Sequence, residues 1–156
     1  MIFCVSATDA PSTPGAYALA LRLDAPLDVR AGKISARLPA GDYLYCGSAY
    51  GPGGLRARLA RHMRPQKRAH WHIDQLTSVT KALGAFVEEG GDECTLNAAL
   101  ANLPTPIAGF GSSDCRRCAA HLRVWPKGAA LPSRWENARK AAESRLPLER
   151  GAPGGA

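Results

Sequence analysis

Tyr43-Leu44-Tyr45-Cys46-Gly47-Ser48, then Gly51-Pro52-Gly53-Gly54, then Leu55-Arg56-Ala57-Arg58-Leu59-Ala60-Arg61-His62 is the stretch that decides the fold. Tyrosines two residues apart share one face of a strand. The glycines and proline break the chain. Leu55, Arg58, Leu59 and His62 then recur at i, i+3, i+4 and i+7, one face of a helix. Strand, turn and basic helix predict a sheet with a helix laid upon it.

Upstream, Tyr17, Leu19, Leu21 and Leu23 alternate along 15–23, and Ile34, Ala36 and Leu38 alternate again. A short strand is expected at 2–5. Asp24–Ala31, with Pro26, reads as a turn, as does Pro39–Asp42. Three strands joined by short turns predict an antiparallel sheet. Downstream, helices are expected over 55–63 and 71–79. Another runs from an Asp92 cap to about Leu103, where Pro104 stops it. Strands are expected at 82–87 and 121–125. The expected class is α/β (α+β): a small, mainly antiparallel sheet flanked by helices, in one domain over 1–126. Residues 127–156 read as a C-terminal extension, with a helix at 134–145 and a disordered tail at 151–156.

The chain has 156 residues, 46% of them apolar, enough for one domain with a real core and too many for global disorder. Its apolar runs fall far short of a membrane span. Met1–Ser6 lacks a basic region and a long apolar one, so no signal peptide is expected. Five cysteines, an odd number, favour reduced thiols and a cytoplasmic protein over a disulfide framework. The net charge of +7 favours a polyanionic partner, nucleic acid before an anionic membrane surface; general solubility is the plainer explanation. Placement favours the partner: Arg56, Arg58, Arg61, Arg64, Lys67 and Arg68 lie in 13 residues without an acid.

The helical wheel separates these arginines. Arg58 and His62 lie on the stripe that should meet the sheet; Arg56, Arg61 and Arg64 point elsewhere and are expected in solvent. An inward guanidinium must be paired or must await an anion, and the spacing leaves both open: an Arg58–carboxylate pair, or an anion site. Glu93 begins the stripe Glu93, Leu96, Asn97, Leu100. It is either a first-turn acid favoured by the helix dipole or the wall of a cleft shared with Arg58.

Phosphodiester hydrolysis needs an activated water, charge neutralisation and help for the leaving oxygen. One carboxylate can hold magnesium, and Glu93 is the candidate. Arg58 is the candidate for neutralising phosphate, which its fork does better than lysine. Tyr45 is a candidate for orienting water or phosphate, and His62 for sharing the proton transfer; each tyrosine is otherwise a packed strand residue. Gly47 and Ser48 offer close backbone approach to a phosphate or make an ordinary turn. His72 is a candidate phosphate contact and Trp71 a stacking platform for a base. Alternatively, Trp71 anchors the core while His72 and Asp74 cap or pair.

With Gly15-Ala16-Tyr17, Tyr45-Cys46-Gly47, Arg58, His62 and Glu93 in order, the chain resembles the GIY-YIG nuclease superfamily. It resembles still more the small Uri-type endonuclease branch, through Tyr43–Ala49, Arg61-His62, Trp71-His72-Ile73-Asp74, Gly109–Cys115 and His121-Leu122. Ala16 and Cys46 stand where isoleucines are usual, and 27 residues separate Tyr17 from Tyr45. The resemblance implies a metal-dependent endonuclease, with DNA ahead of RNA. It implies Tyr17 as general base, Tyr45, Arg58 and His62 in the site, and magnesium or manganese on Glu93. Gly47, Ser48, Arg56, Arg61, Arg64, Lys67, Arg68, Trp71 and His72 are the expected nucleic-acid contacts. The rival is a nucleic-acid-binding module without catalysis.

Cys115-x-x-Cys118-x-x-His121 places three soft ligands in seven residues. Thiolate and imidazole suit zinc; a closed site needs a fourth ligand, for which His70, His72 and Cys94 are candidates. The alternatives are reduced thiols in a tight turn, or a zinc-stabilised interaction module.

Overall fold

The computed structural model describes residues 1–147; the tail expected at 151–156 lies outside them. Strands β1 (Ile2–Cys4), β2 (Gly15–Leu23), β3 (Leu27–Ala31), β4 (Ile34–Leu38), β5 (Gly41–Ser48), β6 (Lys81–Glu89) and β7 (Leu122–Trp125) alternate with helices α1 (Gly54–Met63), α2 (Asp74–Thr77), α3 (Glu93–Ala99) and α4 (Ser133–Glu143). Five strands form an antiparallel sheet in the order β1-β6-β2-β5-β7, and β3 and β4 form a separate two-stranded one. The architecture is thus mixed α/β with small antiparallel sheets and helices.

The central strand β2 is covered on both faces, and its alternation sorts them. Tyr17, Leu19 and Leu21 join Tyr43, Tyr45 and Val87 in one cluster, closed by Leu55 and Leu59 of α1, Ile73 and Leu76 around α2, and Val29 and Leu38 of the hairpin. Ala16, Ala18 and Ala20 face the other way, where Leu96, Leu100, Leu131 and Trp135 pack on Leu44 and Phe86. Small side chains on that face let α3 and α4 approach the sheet. Trp135, on α4, is buried against Phe86 with ring centroids 4.9 Å apart.

Four sequence expectations are corrected. Residues 27–31 are a strand, not part of a turn; Val29 and Ala31 alternate inward, and pairing with 34–38 completes them. Residues 34–38 therefore do not join the main sheet, and β2 pairs with β5 directly. The helix expected over 71–79 is α2 alone, flanked by single turns. The Asp74 carboxylate reaches back to the His70 and Trp71 N–H groups. The Asp92 cap is present, accepting from Thr95 N–H at 2.9 Å, but α3 ends at Ala99.

Candidate functional site

A cleft of about 780 Å³ is lined by Tyr17 from β2, Tyr45, Gly47 and Ser48 from β5, Arg58 and His62 from α1, and Glu93 from α3. Trp71, His72, Cys94, Cys115 and His121 line it too. The fold thus brings together five side chains that the sequence spreads over residues 17–93.

Tyr17 and His62 form a buried pair, the phenol oxygen 2.6 Å from Nε2. Burial and the neighbouring Tyr45 raise the Tyr17 pKa well above the usual phenol value, against the Arg58 charge. Burial, helped by Arg58, Arg61 and Lys67 and opposed by Asp74, lowers the His62 pKa to about 3. Both partners are therefore neutral in the free protein, and His62 Nδ1 is buried without a hydrogen-bond partner among the described residues. Burial raises the Tyr45 pKa as well. Register places Gly47 opposite Tyr17, and a Cβ at 47 would overlap the Tyr17 hydroxyl. Gly111 leaves the same room for the Tyr45 ring, in a left-handed conformation (φ +73°). Gly47 thus makes space for a tyrosine, a packing reason for a glycine at a position that also lines the cleft.

The arginines divide differently from the wheel. Arg61, expected in solvent, donates two hydrogen bonds of 2.8 Å to Asp74, whose side chain is 0% exposed. Burial opposes ionisation of Asp74, but Arg61 and the Trp71 and His70 N–H groups outweigh it and hold the carboxyl well below its usual range. Arg58 forms no ion pair among the described residues. Its guanidinium lies over the Trp71 ring at 4.4 Å, with that of Arg61 at 4.2 Å. The carboxylate pairing left open for Arg58 therefore belongs to Arg61. Trp71, offered as a base-stacking platform, carries two guanidinium groups.

Arg56 Nε donates to Ala10 O at 2.8 Å, tying down the loop before β2. Lys67 Nζ donates to His62 O and Arg64 O at 3.0 and 2.6 Å, closing the C-terminal end of α1. Arg64 and Arg68 are exposed, and with Arg61, Lys67 and His70 they line a second cavity of about 490 Å³. His72 Nδ1 accepts the Gly111 N–H at 3.0 Å, which places its ring proton on Nε2.

Glu93 is half-buried and forms no ion pair among the described residues. Its neighbour Asp92 is engaged, capping α3 and pairing with Arg117 at 3.2 Å. Ligand atoms of Asp92, Glu93 and Cys94 lie within 4.8 Å of one another, and so do those of Cys94, Cys115, Cys118 and His121. Either set is close enough together that it could hold a metal ion. Burial pushes the Cys94 thiol up to about 12, with Cys115 and Cys118 adding to it. Burial also lowers the His121 pKa, leaving a neutral imidazole, the form that binds metals. Of the three candidates for a fourth ligand, only Cys94 joins the cluster. His72 is committed to Gly111, and His70 is exposed. The spacing after Cys115 signals three ligands; that Cys94, 21 residues upstream of it, is the candidate that meets them is decided by folding.

The cleft is a polar, cation-edged site with a guanidinium and a carboxylate that form no ion pair among the described residues, and a candidate metal centre. The chain belongs to the family described as Domain of unknown function DUF123, whose model matches residues 16–144. No curated protein and no solved structure matches it. The resemblance to the GIY-YIG superfamily and its Uri-type branch is corrected by this match: the family is another, and its description assigns no function. Nuclease character and magnesium dependence therefore do not follow from family membership. Local packing accounts for the short motifs: a side chain at Gly15 would overlap the Glu88 carbonyl, and one at Gly47 the Tyr17 ring.

Proposed function

We propose that the cleft hydrolyses phosphodiester bonds of nucleic acid, with DNA the first substrate to test. The observation that carries this reading is the meeting of the Tyr17–His62 pair, Arg58 and Glu93 in one cleft. Arg58 binds and neutralises the phosphate. Its fork meets no carboxylate among the described residues and is steadied by the Trp71 face. Burial is the main reason His62 is hard to protonate; a bound anion opposes the smaller contribution of Arg58, Arg61 and Lys67 and to that extent makes Nε2 a better proton acceptor. The attacking water gives its proton to the Tyr17 oxygen while the Tyr17 proton passes to Nε2 at 2.6 Å. Water oxygen bonds to phosphorus, the bond to the leaving oxygen breaks with its electron pair, that oxygen takes a proton from solvent water, and Tyr45 orients the phosphate.

The donor chemistry of Glu93 fits a hard cation: a half-buried carboxylate without an ion pair among the described residues. A magnesium or manganese ion held there would supply Lewis acidity at the phosphate. Zinc on Cys115, Cys118 and His121 belongs to the same reading, as does a reducing, cytoplasmic setting for five free thiols. No described helix is long and apolar enough to cross a membrane.

The test is cleavage of duplex, nicked, flapped and single-stranded substrates with magnesium or manganese, native chain against Glu93→Ala. Cleavage by the native chain alone is expected; no cleavage of any substrate by folded protein overturns the proposal. The second cavity, with Arg64 and Arg68, favours an alternative: binding without catalysis. That reading expects salt-dependent binding that survives both Glu93→Ala and Tyr17→Phe.

A further inference from the structure

We propose that Cys94 joins Cys115, Cys118 and His121 in one closed zinc centre, and that this centre holds Glu93 at the wall of the cleft. The ligand atoms lie within 4.8 Å of one another. Cys94 Sγ is 3.4 Å from Cys115 Sγ and 3.9 Å from His121 Nε2. A tetrahedral zinc, with bonds of about 2.3 Å to sulfur and about 2.0 Å to nitrogen, spaces its ligands roughly 3.5–3.8 Å apart. Small side-chain adjustments therefore seat the ion. Three thiolates and an imidazole select zinc over magnesium or calcium, which take oxygen donors. Four protein ligands leave no open position, so the ion is structural and the hydrolytic chemistry stays elsewhere.

The surroundings fit such a centre. The Arg117 N–H donates to Cys115 Sγ at 3.4 Å, an outer hydrogen bond of the kind that steadies a ligating thiolate. Three thiolates around a dication leave one negative charge, and exposed Arg116 and Arg117 stand beside it. Three ligands come from the segment 104–121, which has neither helix nor strand. Gly109 N–H to Ala119 O and His121 N–H to Phe110 O brace it internally, and Cys46 N–H to His121 O and the Asn97 amide to Ala120 O hold its C-terminal end, while Cys115 and Cys118 lie in the stretch between. Irregular segments of this length need a tie or a function. The fourth ligand, Cys94, is in the first turn of α3. One ion would thus pin the loop to the helix that carries Glu93.

That pin bears on the cleft because Glu93 and Cys94 are adjacent in a helix of seven residues. With Cys94 taken by zinc and Asp92 engaged with Thr95 and Arg117, Glu93 is left as the carboxylate for a hard cation. This positioning role rests on the reading of Glu93 given under the proposed function; the zinc centre itself does not.

The experiment uses the full chain purified without chelator. One zinc per chain is expected by elemental analysis. Cobalt(II) added to the metal-free chain is expected to give the d–d bands of a tetrahedral site and a thiolate charge-transfer band. Absence of both overturns the centre, whether or not the chain cleaves nucleic acid. Cys118→Ser is expected to weaken zinc binding by at least about tenfold; unchanged affinity removes Cys118 from the centre and overturns its closed form. Manganese binding, read by water-proton relaxation, is expected to weaken when zinc is stripped and to recover on reloading. Equal manganese binding in both states overturns the positioning role. Failure of the zinc-loaded chain to bind manganese overturns that role together with the Glu93 reading, while the cobalt spectrum still decides the centre.

Discussion

Gly47 stands opposite Tyr17 in the β2–β5 ladder, and the Tyr17 phenol fills the space that any side chain at 47 would need. The glycine thereby lets the phenol reach His62. Gly47→Ala should push the ring off Nε2 and cost about 1–3 kcal/mol of stability, the usual price of overpacking. Tyr17→Phe, which only removes the hydroxyl from a buried pair, should cost about 1–2 kcal/mol. Urea denaturation measures both. An unchanged midpoint for Gly47→Ala would mean that the strands part easily there.

Arg58 and Arg61 share the Trp71 ring, yet among the described residues only Arg61 has a carboxylate. Asp74→Asn leaves the Arg61 charge without its partner and should destabilise the chain by roughly 3 kcal/mol. Arg58→Ala should change stability by less than about 1 kcal/mol. Thermal melting distinguishes them, and equal losses would show that the two arginines do one job.

Stability should fall with acid, and the sign follows from two groups. His62 is lowered to about 3 when folded, against about 6.5 unfolded, so the unfolded chain binds its proton first. Its contribution is complete above about pH 6.5 and declines as pH falls towards 3, a loss of about 2 kcal/mol by pH 5. Asp74, held low, adds stability that is present above its unfolded value of about 4 and is lost below it. Denaturation midpoints between pH 5 and 7 should therefore flatten in His62→Gln. His121 is lowered too, so a residual slope is expected. The same slope in both chains would exclude His62 as its source.

In the proposed hydrolysis, Arg58→Ala should lower the rate by about 10²–10³ while the fold survives. Arg58→Lys should recover little of it, because an ammonium cannot replace the bidentate fork. Single-turnover cleavage checks this. Full recovery by lysine would reduce Arg58 to a point charge.

Trp135→Ala should cost about 3–5 kcal/mol, since the indole is buried between α4 and Phe86. Chemical denaturation measures it, and a loss below about 1 kcal/mol would show that α4 docks only loosely.

Much of the sheet was legible because period-two alternation is a local property. Tyr17, Leu19, Leu21 and Leu23 share one face on any strand that contains them. β3 escaped because Pro26 and Asp28 resemble a turn, and only its partner β4 makes 27–31 a strand. The stretch around α2 misled in the opposite sense. Ile73 and Leu76 have helical spacing, but Asp74 spends its carboxylate on the two N–H groups before it.

By itself, the sequence determined which residues face a core, where Asp92 caps a helix, and that basic charge gathers between Arg56 and Arg68. These depend on spacing and composition within a few turns of chain. The tertiary structure alone decided that Arg61 takes Asp74 while Arg58 finds no carboxylate among the described residues, that Gly47 serves Tyr17, and that Cys94 meets Cys115 and His121. Each depends on how separate elements dock. A guanidinium or a thiol carries no local mark of the distant partner that desolvation will oblige it to find.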